Sequence, residues 1–163
     1  MGAKRKPSAR IGRDDRALIA AALAAREFAH APWSRFKVGA AARYGDQVVQ
    51  GCNVEFDVYG LTNCAERTVV FAAHACGAAR KPMTAIAVVA DTPGPVSPCG
   101  ACRQVMFESG GADLRVILAN TRGEALVVRM ADLLPGGFQL EPQARGPATV
   151  RGAGKTAARR RKA

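Results

Sequence analysis

Three cysteines and one glutamate have the spacing of a metal site that does chemistry. Cys64 is followed two residues later by Glu66, and Cys99 is followed three residues later by Cys102. Each cysteine segment lies where we expect a helix to begin, and a helix N-terminus favours the thiolate form of a cysteine. Residues three apart share one face of a helical turn, so Cys99 and Cys102 can reach the same ion. Three protein ligands with an open fourth position are typical of catalytic zinc.

A Cys-x-x-Cys pair alone is a weak signal, because it also occurs in redox pairs and in structural zinc sites. Glu66 strengthens it. Zinc deaminases that act on bases combine a first ligand, any residue and a glutamate with a later Pro-Cys-x-x-Cys, and their glutamate is a general acid and base rather than a ligand. The segments 64–66 and 98–102 have this pattern, with cysteine as the first ligand.

The elements that must position these residues follow from hydrophobic periodicity and turn residues. We predict helices over residues 16–29, 64–78, 99–109 and 130–134. We predict strands over residues 36–44, 47–54, 84–90, 114–119 and 125–128. Asp14 or Asp15 is expected to cap the first helix, and Cys76 is expected to be a small core residue. This order predicts an α/β sandwich with helices on both faces of one sheet.

Length and composition predict one globular domain, because the chain has 163 residues of which 48% are hydrophobic. No apolar run is long enough to span a bilayer. The basic segment 1–10 is not followed by an uninterrupted apolar stretch and a cleavage site, so we expect no signal peptide and a cytoplasmic location. In that compartment the five cysteines are expected to be reduced.

The net charge of +11 is confined to the two ends of the chain. Residues 1–16 hold six basic and two acidic side chains, residues 145–163 hold seven basic and no acidic ones, and residues 17–144 are neutral. A basic arm can bind polyanions through counterion release. Nucleic-acid binding by these ends is not favoured, because no aromatic residues that could stack on bases lie between the basic ones.

We therefore divide the chain into three parts. Residues 1–13 and 143–163 are expected to be basic, disordered tails that keep the protein in solution. Residues 14–142 are expected to form the catalytic domain.

Five sequence blocks resemble the small, homotetrameric, zinc-dependent cytidine deaminases. The resemblance covers residues 14–140 and rests on P-W-S-R-F-K-V-G-A-A at 32–41, G-C-N-V-E at 51–55, N-C-A-E-R-T at 63–68, A-D-T-P-G-P-V-S-P-C-G-A-C-R-Q-V at 90–105 and L-L-P-G-G-F at 133–138. It implies a three-layer α/β/α sandwich with a mixed five-stranded sheet. It also implies hydrolysis of cytidine and 2′-deoxycytidine to uridine, 2′-deoxyuridine and ammonia, in pyrimidine salvage.

The resemblance assigns roles to the cysteine and glutamate segments. Cys64, Cys99 and Cys102 are expected to hold one Zn²⁺ per chain, and Glu66 is expected to be the catalytic general acid and base. Three thiolates leave such a site with a net negative charge. Arg67 is expected to offset it by donating to the ligand sulfurs.

The resemblance also assigns the substrate contacts. Asn53 and Glu55 match positions that hydrogen-bond the ribose 3′-hydroxyl, Phe36 matches the aromatic residue that packs on the pyrimidine, and Ala65 is expected to present backbone atoms to the base. Tyr59 and Phe138 match positions that reach a neighbouring subunit's active site in a tetramer of 222 symmetry. Because the site then needs several subunits, the expected partners are a small nucleoside and further copies of this chain.

Two positions depart from the family pattern and keep a second substrate class open. Phe56 stands where an amide is usual, and Asp57 stands where a small residue is expected near a 5′-hydroxyl. A carboxylate there would repel a 5′-phosphate, which favours nucleosides over nucleotides. The first rival is a deaminase of a modified or antibiotic cytosine nucleoside, of the blasticidin type. The second is a nucleic-acid-binding protein with a structural zinc, against which Glu66 counts.

Overall fold

Helices and strands alternate in the computed structural model, which describes residues 10–140. The α-helices are α1 (Arg13–Arg26), α2 (Ala65–Ala75), α3 (Gly100–Gly110) and α4 (Met130–Leu133). The strands are β1 (Val38–Tyr44), β2 (Gln47–Cys52), β3 (Met83–Ala90), β4 (Arg115–Asn120) and β5 (Ala125–Arg129). Of the predicted tails, residues 1–9 and 143–163 lie outside the described residues, and Arg13 of the first tail is already the first residue of α1.

The five strands form one mixed sheet in the order β2–β1–β3–β4–β5. β3 and β4 are parallel, and the other neighbouring strands are antiparallel. Parallel neighbours need a crossover, and α3 supplies it between β3 and β4. Both α2 and α3 pack on one face of the sheet, so the site segments before them lie on the same side.

Alternate strand residues point to opposite faces of the sheet, and each face is covered by helices. One face packs on α1, in a core of Leu18, Ala22, Ala41, Ala85, Ala87, Val89, Ile117, Ala119 and Val127. The other face packs on α2 and α3, in a larger core that includes Ala40, Ala42, Tyr44, Val69, Ile86, Val88, Met106, Val116 and Leu118. The predicted three-layer sandwich is confirmed. Within residues 10–140 the structure has no helix with the length and hydropathy needed to cross a bilayer.

The start of α1 differs from the prediction that Asp14 or Asp15 caps it. Gly12 is the N-cap residue, and the Asp15 carboxylate accepts a hydrogen bond of 2.7 Å from the Gly12 backbone N–H. Arg115 of β4 donates to both oxygens of the same carboxylate, each at 2.8 Å. The hydrogen bond with Arg115, helped by that from Gly12, lowers the pKa of Asp15 despite its burial. Asp15 thus ties the first turn of α1 to the sheet.

Asp15→Asn is expected to lower the free energy of unfolding by about 1–2 kcal/mol at pH 7, because the charge-assisted hydrogen bonds between buried Asp15 and partly exposed Arg115 are weakened. The folded-state pKa of Asp15 lies below its unfolded value of about 3.9. The stabilisation is therefore present above that value and is lost as pH falls through the folded-state pKa. Denaturant unfolding of both proteins should show a large difference at pH 7 that shrinks towards pH 3.

Asp14→Asn is the matched control, because Asp14 is the exposed neighbour of Asp15 in the same helical turn. It should change the free energy of unfolding by less than about 0.5 kcal/mol. An Asp15→Asn effect that is equal at the two pH values would contradict the ionic explanation.

The end of α2 corrects a second expectation. Gly77 adopts a left-handed conformation (φ 78°), which ends the helix before the predicted Ala78. Cys76 becomes the C-cap residue and is exposed, so the prediction that it is a core residue is wrong.

Candidate active site

The three predicted ligand cysteines come together where α2 and α3 begin. Cys64 is the N-cap residue of α2, Cys99 is the N-cap residue of α3, and Cys102 lies in the first turn of α3. Their Sγ atoms all lie within 4.8 Å of one another. Both helix N-termini therefore direct their positive ends at one group of sulfurs.

The cluster fits a zinc ion by donor type and spacing. A tetrahedral ion with zinc–sulfur bonds of about 2.3 Å separates its sulfurs by about 3.8 Å, so small side-chain movements complete the site. No histidine, aspartate or glutamate within the described part of the chain joins the cluster as a fourth ligand. Cys102 is buried, Cys64 is half-buried and Cys99 is exposed, so one side of the cluster opens to the outside. This is the arrangement of a catalytic site rather than of a closed structural one.

Local hydrogen bonds hold Cys64 in place. Asn63 pairs its backbone N–H and C=O with those of Val54 at 2.9 and 3.0 Å, which fixes the chain just before the helix. The Thr68 hydroxyl donates to the Cys64 carbonyl at 3.2 Å and accepts from the Asn63 amide at 3.2 Å. The ligand is thus fixed to the segment that follows β2.

The clustered cysteines change one another's pKa values. Hydrogen bonding from the Cys102 thiol, together with the guanidinium of Arg67, lowers the pKa of Cys64 to about 5. The same proximity, added to burial, raises the pKa of Cys102. The lowered pKa favours the thiolate form of Cys64, which is the form that binds a cation.

Glu66 lies in the first turn of α2, two residues after Cys64, and is only 4% exposed. Burial, together with the charge on Cys64, raises the pKa of Glu66. A buried carboxyl group beside three sulfurs can hold or release a proton near the ligand cluster.

Arg67 extends towards the same cluster. Its Nη2 donates to the Cys64 Sγ at 3.7 Å and to the Thr62 carbonyl at 3.2 Å. Its Nε is buried and has no hydrogen-bond partner among the described residues. A cation with a spare donor next to the sulfurs suits a group of anionic ligands.

Arg103 is a site residue that the sequence analysis missed. It follows Cys102, and its guanidinium donates to the Pro98 carbonyl at 2.9 Å, the Ser97 hydroxyl at 3.0 Å and the Leu133 carbonyl at 2.9 Å. Pro98 directly precedes Cys99, so Arg103 fixes the loop that presents one ligand from a position beside another. The available signal was an arginine adjacent to a predicted ligand.

Asn53 and Glu55 hold the loop that carries Phe36. The Asn53 side chain accepts from the Val38 N–H at 2.8 Å and donates to the Phe36 carbonyl at 2.9 Å. Since these backbone groups are taken, β1 begins at Val38 and not at the predicted Phe36. The Ser34 hydroxyl, with the N–H groups of Ser34 and Trp33, lowers the pKa of Glu55.

The remaining residues that were predicted to contact the substrate differ in how exposed they are. Ala65 is fully buried at the start of α2, whereas Phe36 is 41% exposed. Tyr59 lines a cavity of about 400 Å³ with Trp33, Ser34, Glu55 and Thr62. Phe138 is 65% exposed, and its carbonyl accepts a hydrogen bond of 2.6 Å from the Gln104 side chain. Residues 10–140 leave both Tyr59 and Phe138 exposed.

Comparison with known proteins identifies the family. Residues 13–119 match the model of the cytidine and deoxycytidylate deaminase zinc-binding region. The chain is 52% identical over 129 residues to cytidine deaminase of Halalkalibacterium halodurans, covering 78% of this chain and 96% of the relative. It is 49% identical over 125 residues to cytidine deaminase of Sporosarcina psychrophila, covering 76% of this chain and 90% of that one.

A solved structure is similar to this chain in both sequence and fold. The crystal structure of cytidine deaminase from Burkholderia pseudomallei is 56% identical in sequence and superposes with a TM-score of 0.72, over 76% of this chain and 98% of that one. Matches in sequence and fold therefore cover the segment that brings Cys64, Cys99 and Cys102 together. The chain belongs to the cytidine and deoxycytidylate deaminase family.

Proposed function

We propose that this protein catalyses the hydrolytic deamination of cytidine and 2′-deoxycytidine to uridine and 2′-deoxyuridine with release of ammonia, a step of pyrimidine salvage. The observation that carries the proposal is the convergence of Cys64, Cys99 and Cys102 beside the buried carboxyl of Glu66. Family membership and relatives that are named cytidine deaminases support the choice of cytosine nucleosides.

The three cysteines would hold one Zn²⁺ per chain. When bound, the ion supplies Lewis-acid activation of a water molecule at neutral pH. Arg67 would offset the negative charge of the three sulfurs by donating to Cys64. Free thiols at a metal site are typical of a reducing compartment, which supports the cytoplasm as the location of the protein.

Glu66 would move the protons of the reaction. Its carboxylate takes a proton from the attacking water and delivers it to N3 of the base as oxygen adds to C4. A second proton passes to the exocyclic amine, the C4–N bond breaks, and ammonia leaves. Water supplies the oxygen and both protons, so the reaction needs no other reactant.

Nucleoside contacts would come from the loop and strand segments around the cavity. Glu55 and Asn53 are proposed to bind the sugar, Phe36 to pack on the pyrimidine, and the Ala65 backbone to meet the base. The exposure of Phe36 and the position of Glu55 on the cavity wall support this assignment.

We further propose that the active unit is a homotetramer in which Tyr59 and Phe138 complete a neighbour's site. Large apolar side chains that the subunit leaves exposed support this: Phe56, Val58, Tyr59, Leu61 and Phe138. Sedimentation should give four times the subunit mass of 17.1 kDa. An active monomer would contradict the proposal.

Turnover of cytidine by the purified full-length protein tests the activity, followed as loss of ultraviolet absorbance and as release of ammonia. We expect efficient turnover of cytidine and 2′-deoxycytidine and little or none of blasticidin S, since the relatives above are named for cytidine. Turnover of the antibiotic alone would favour the rival substrate class that Phe56 and Asp57 leave open. Retained zinc without any deamination would instead favour a structural ion, and the nucleic-acid-binding alternative would then be tested by salt-dependent binding to a polyanion.

A further inference from the structure

Side chains from another segment hold the loop of residues 30–37 between α1 and β1, in addition to the loop's backbone hydrogen bonds. Glu55 is the centre of this arrangement. Its Oε2 accepts from the backbone N–H groups of Trp33 at 3.1 Å and Ser34 at 3.2 Å. Its Oε1 accepts from the Ser34 hydroxyl. One carboxylate therefore receives three donors from two adjacent residues of the loop.

The Ser34 hydroxyl is itself fixed by the next part of the loop. The backbone N–H of Phe36 donates to the Ser34 Oγ at 3.0 Å. Because the oxygen is the acceptor in that hydrogen bond, the hydroxyl proton is free to be directed at Glu55. Ser34 thus links the orientation of the Glu55 carboxylate to the backbone that carries Phe36.

The backbone next to Ser34 has an unusual conformation. Arg35, between Ser34 and Phe36, has a φ of 55°, a left-handed conformation that side-chain-bearing residues rarely adopt. Its N–H donates to the Ala31 carbonyl at 3.0 Å, which closes the turn. The hydrogen bonds of Ser34 on one side and of Asn53 with Phe36 and Val38 on the other hold this conformation.

The Glu55 carboxylate has more hydrogen-bond acceptor sites than the loop uses. A carboxylate offers about four lone-pair sites, two on each oxygen. Both sites of Oε2 are taken by Trp33 and Ser34, and one site of Oε1 is taken by the Ser34 hydroxyl. Within residues 10–140 no donor takes the second acceptor site on Oε1, and Glu55 lines the cavity that also contains Tyr59 and Thr62.

We propose that Ser34 is a positioning residue for the sugar of the nucleoside: its hydroxyl fixes the Glu55 carboxylate so that the free acceptor site of Oε1 faces the sugar 3′-hydroxyl. The proposal rests on the proposed function, since it gives Glu55 a nucleoside to bind. Among the described residues Ser34 makes no hydrogen bond to the sulfur cluster or to Glu66, so its effect should appear in substrate binding and not in the chemical step.

The test compares Ser34→Ala with the natural protein, using cytidine and 3′-deoxycytidine as substrates. Loss of the hydroxyl should raise KM for cytidine by about tenfold, the scale of one hydrogen bond to a charged group, and leave kcat within about twofold. KM for 3′-deoxycytidine should change little, because that substrate lacks the hydroxyl that Glu55 would bind. Ser34→Thr keeps the hydroxyl and should restore most of the affinity for cytidine.

Two controls separate positioning from general damage. Ser109→Ala removes a serine hydroxyl near the end of α3, where it donates to the Val105 carbonyl at 2.8 Å, and should leave both KM values unchanged. Zinc content of Ser34→Ala should match that of the natural protein, and its unfolding temperature should fall by no more than the loss of two loop hydrogen bonds explains. Equal KM increases for the two substrates, a fall in kcat alone, or no rescue by threonine would overturn the proposal.

If the natural protein does not deaminate cytidine, the proposed function fails independently of Ser34. The same comparison is then made as equilibrium binding of cytidine and 3′-deoxycytidine by calorimetry. A loss of cytidine binding in Ser34→Ala that 3′-deoxycytidine does not share would still support the positioning role, and equal binding by the two proteins would overturn it.

Discussion

Glu66→Gln is expected to lower kcat for cytidine by about 10²–10⁴-fold, the usual contribution of a positioned general acid and base. Glutamine keeps the size of the buried side chain but can neither accept a proton from water nor deliver one to the base. Glu66 does not belong to the cluster of three cysteines, so the variant should bind as much zinc as the natural protein does. The measurement is steady-state deamination of cytidine, with zinc determined by mass spectrometry of the same sample.

Glu27→Gln is the matched control, because it makes the same substitution at an exposed carboxylate near the end of α1, paired with Arg26 at 3.4 Å. It should leave kcat, KM and zinc content unchanged. Full activity in Glu66→Gln would remove Glu66 from the mechanism. Loss of zinc along with activity would instead make Glu66 a part of the metal site.

Periodicity and residue chemistry sufficed to predict the layers and the meeting of the three cysteines. Successive strand residues alternate between the two hydrophobic cores. Val88, for example, lies in the core on one face of the sheet, and Val89 lies in the core on the other. Cysteines at the predicted helix starts meet because α2 and α3 cover the same face. These features depend on local pattern and on the side of the sheet that a crossover must take.

Residues whose conformation is set by distant partners were not predictable from local pattern. Asp15 resembled a helix cap, but its carboxylate is engaged by Arg115, one hundred residues away in sequence. Phe36 resembled the first residue of a strand, but its carbonyl accepts a hydrogen bond from the Asn53 side-chain amide. In both cases a side chain that is distant in sequence makes a hydrogen bond that local propensity cannot predict.

The loop around Ser34 shows the same limit at the site itself. A serine before an arginine carries no local signal for a left-handed turn, and Glu55 was predicted only as a ligand for ribose. Its role in building the loop emerges when Trp33, Ser34 and Glu55 are brought together by β1 and the segment after β2. A residue can therefore match a binding motif and also hold the loop beside it.

Cys102→Ser is expected to remove zinc and activity together. Cys102 is the fully buried member of the cluster, and its thiol is the largest contributor to the lowered pKa of Cys64. Even the loss of a residue that only supports a metal ligand costs 10–100-fold in affinity or activity, so loss of a ligand should cost more than about 100-fold. Zinc per chain and cytidine turnover are measured on the same preparation, and Cys76→Ser is the control at an exposed cysteine outside the cluster.

Metal removal distinguishes a catalytic ion from a structural one. Cys64 and Cys99 lie outside both hydrophobic cores, which are built from strand and helix residues, so the sheet and its helices should remain folded without zinc. A bound ion stabilises only through its affinity for the folded state, and its removal should lower the unfolding temperature without abolishing the transition. Treatment with a chelator should abolish turnover, leave the far-ultraviolet circular dichroism spectrum unchanged, and be reversed by Zn²⁺. Unfolding on chelation would make the ion a structural element, whereas full turnover by the metal-free protein would exclude it from the reaction.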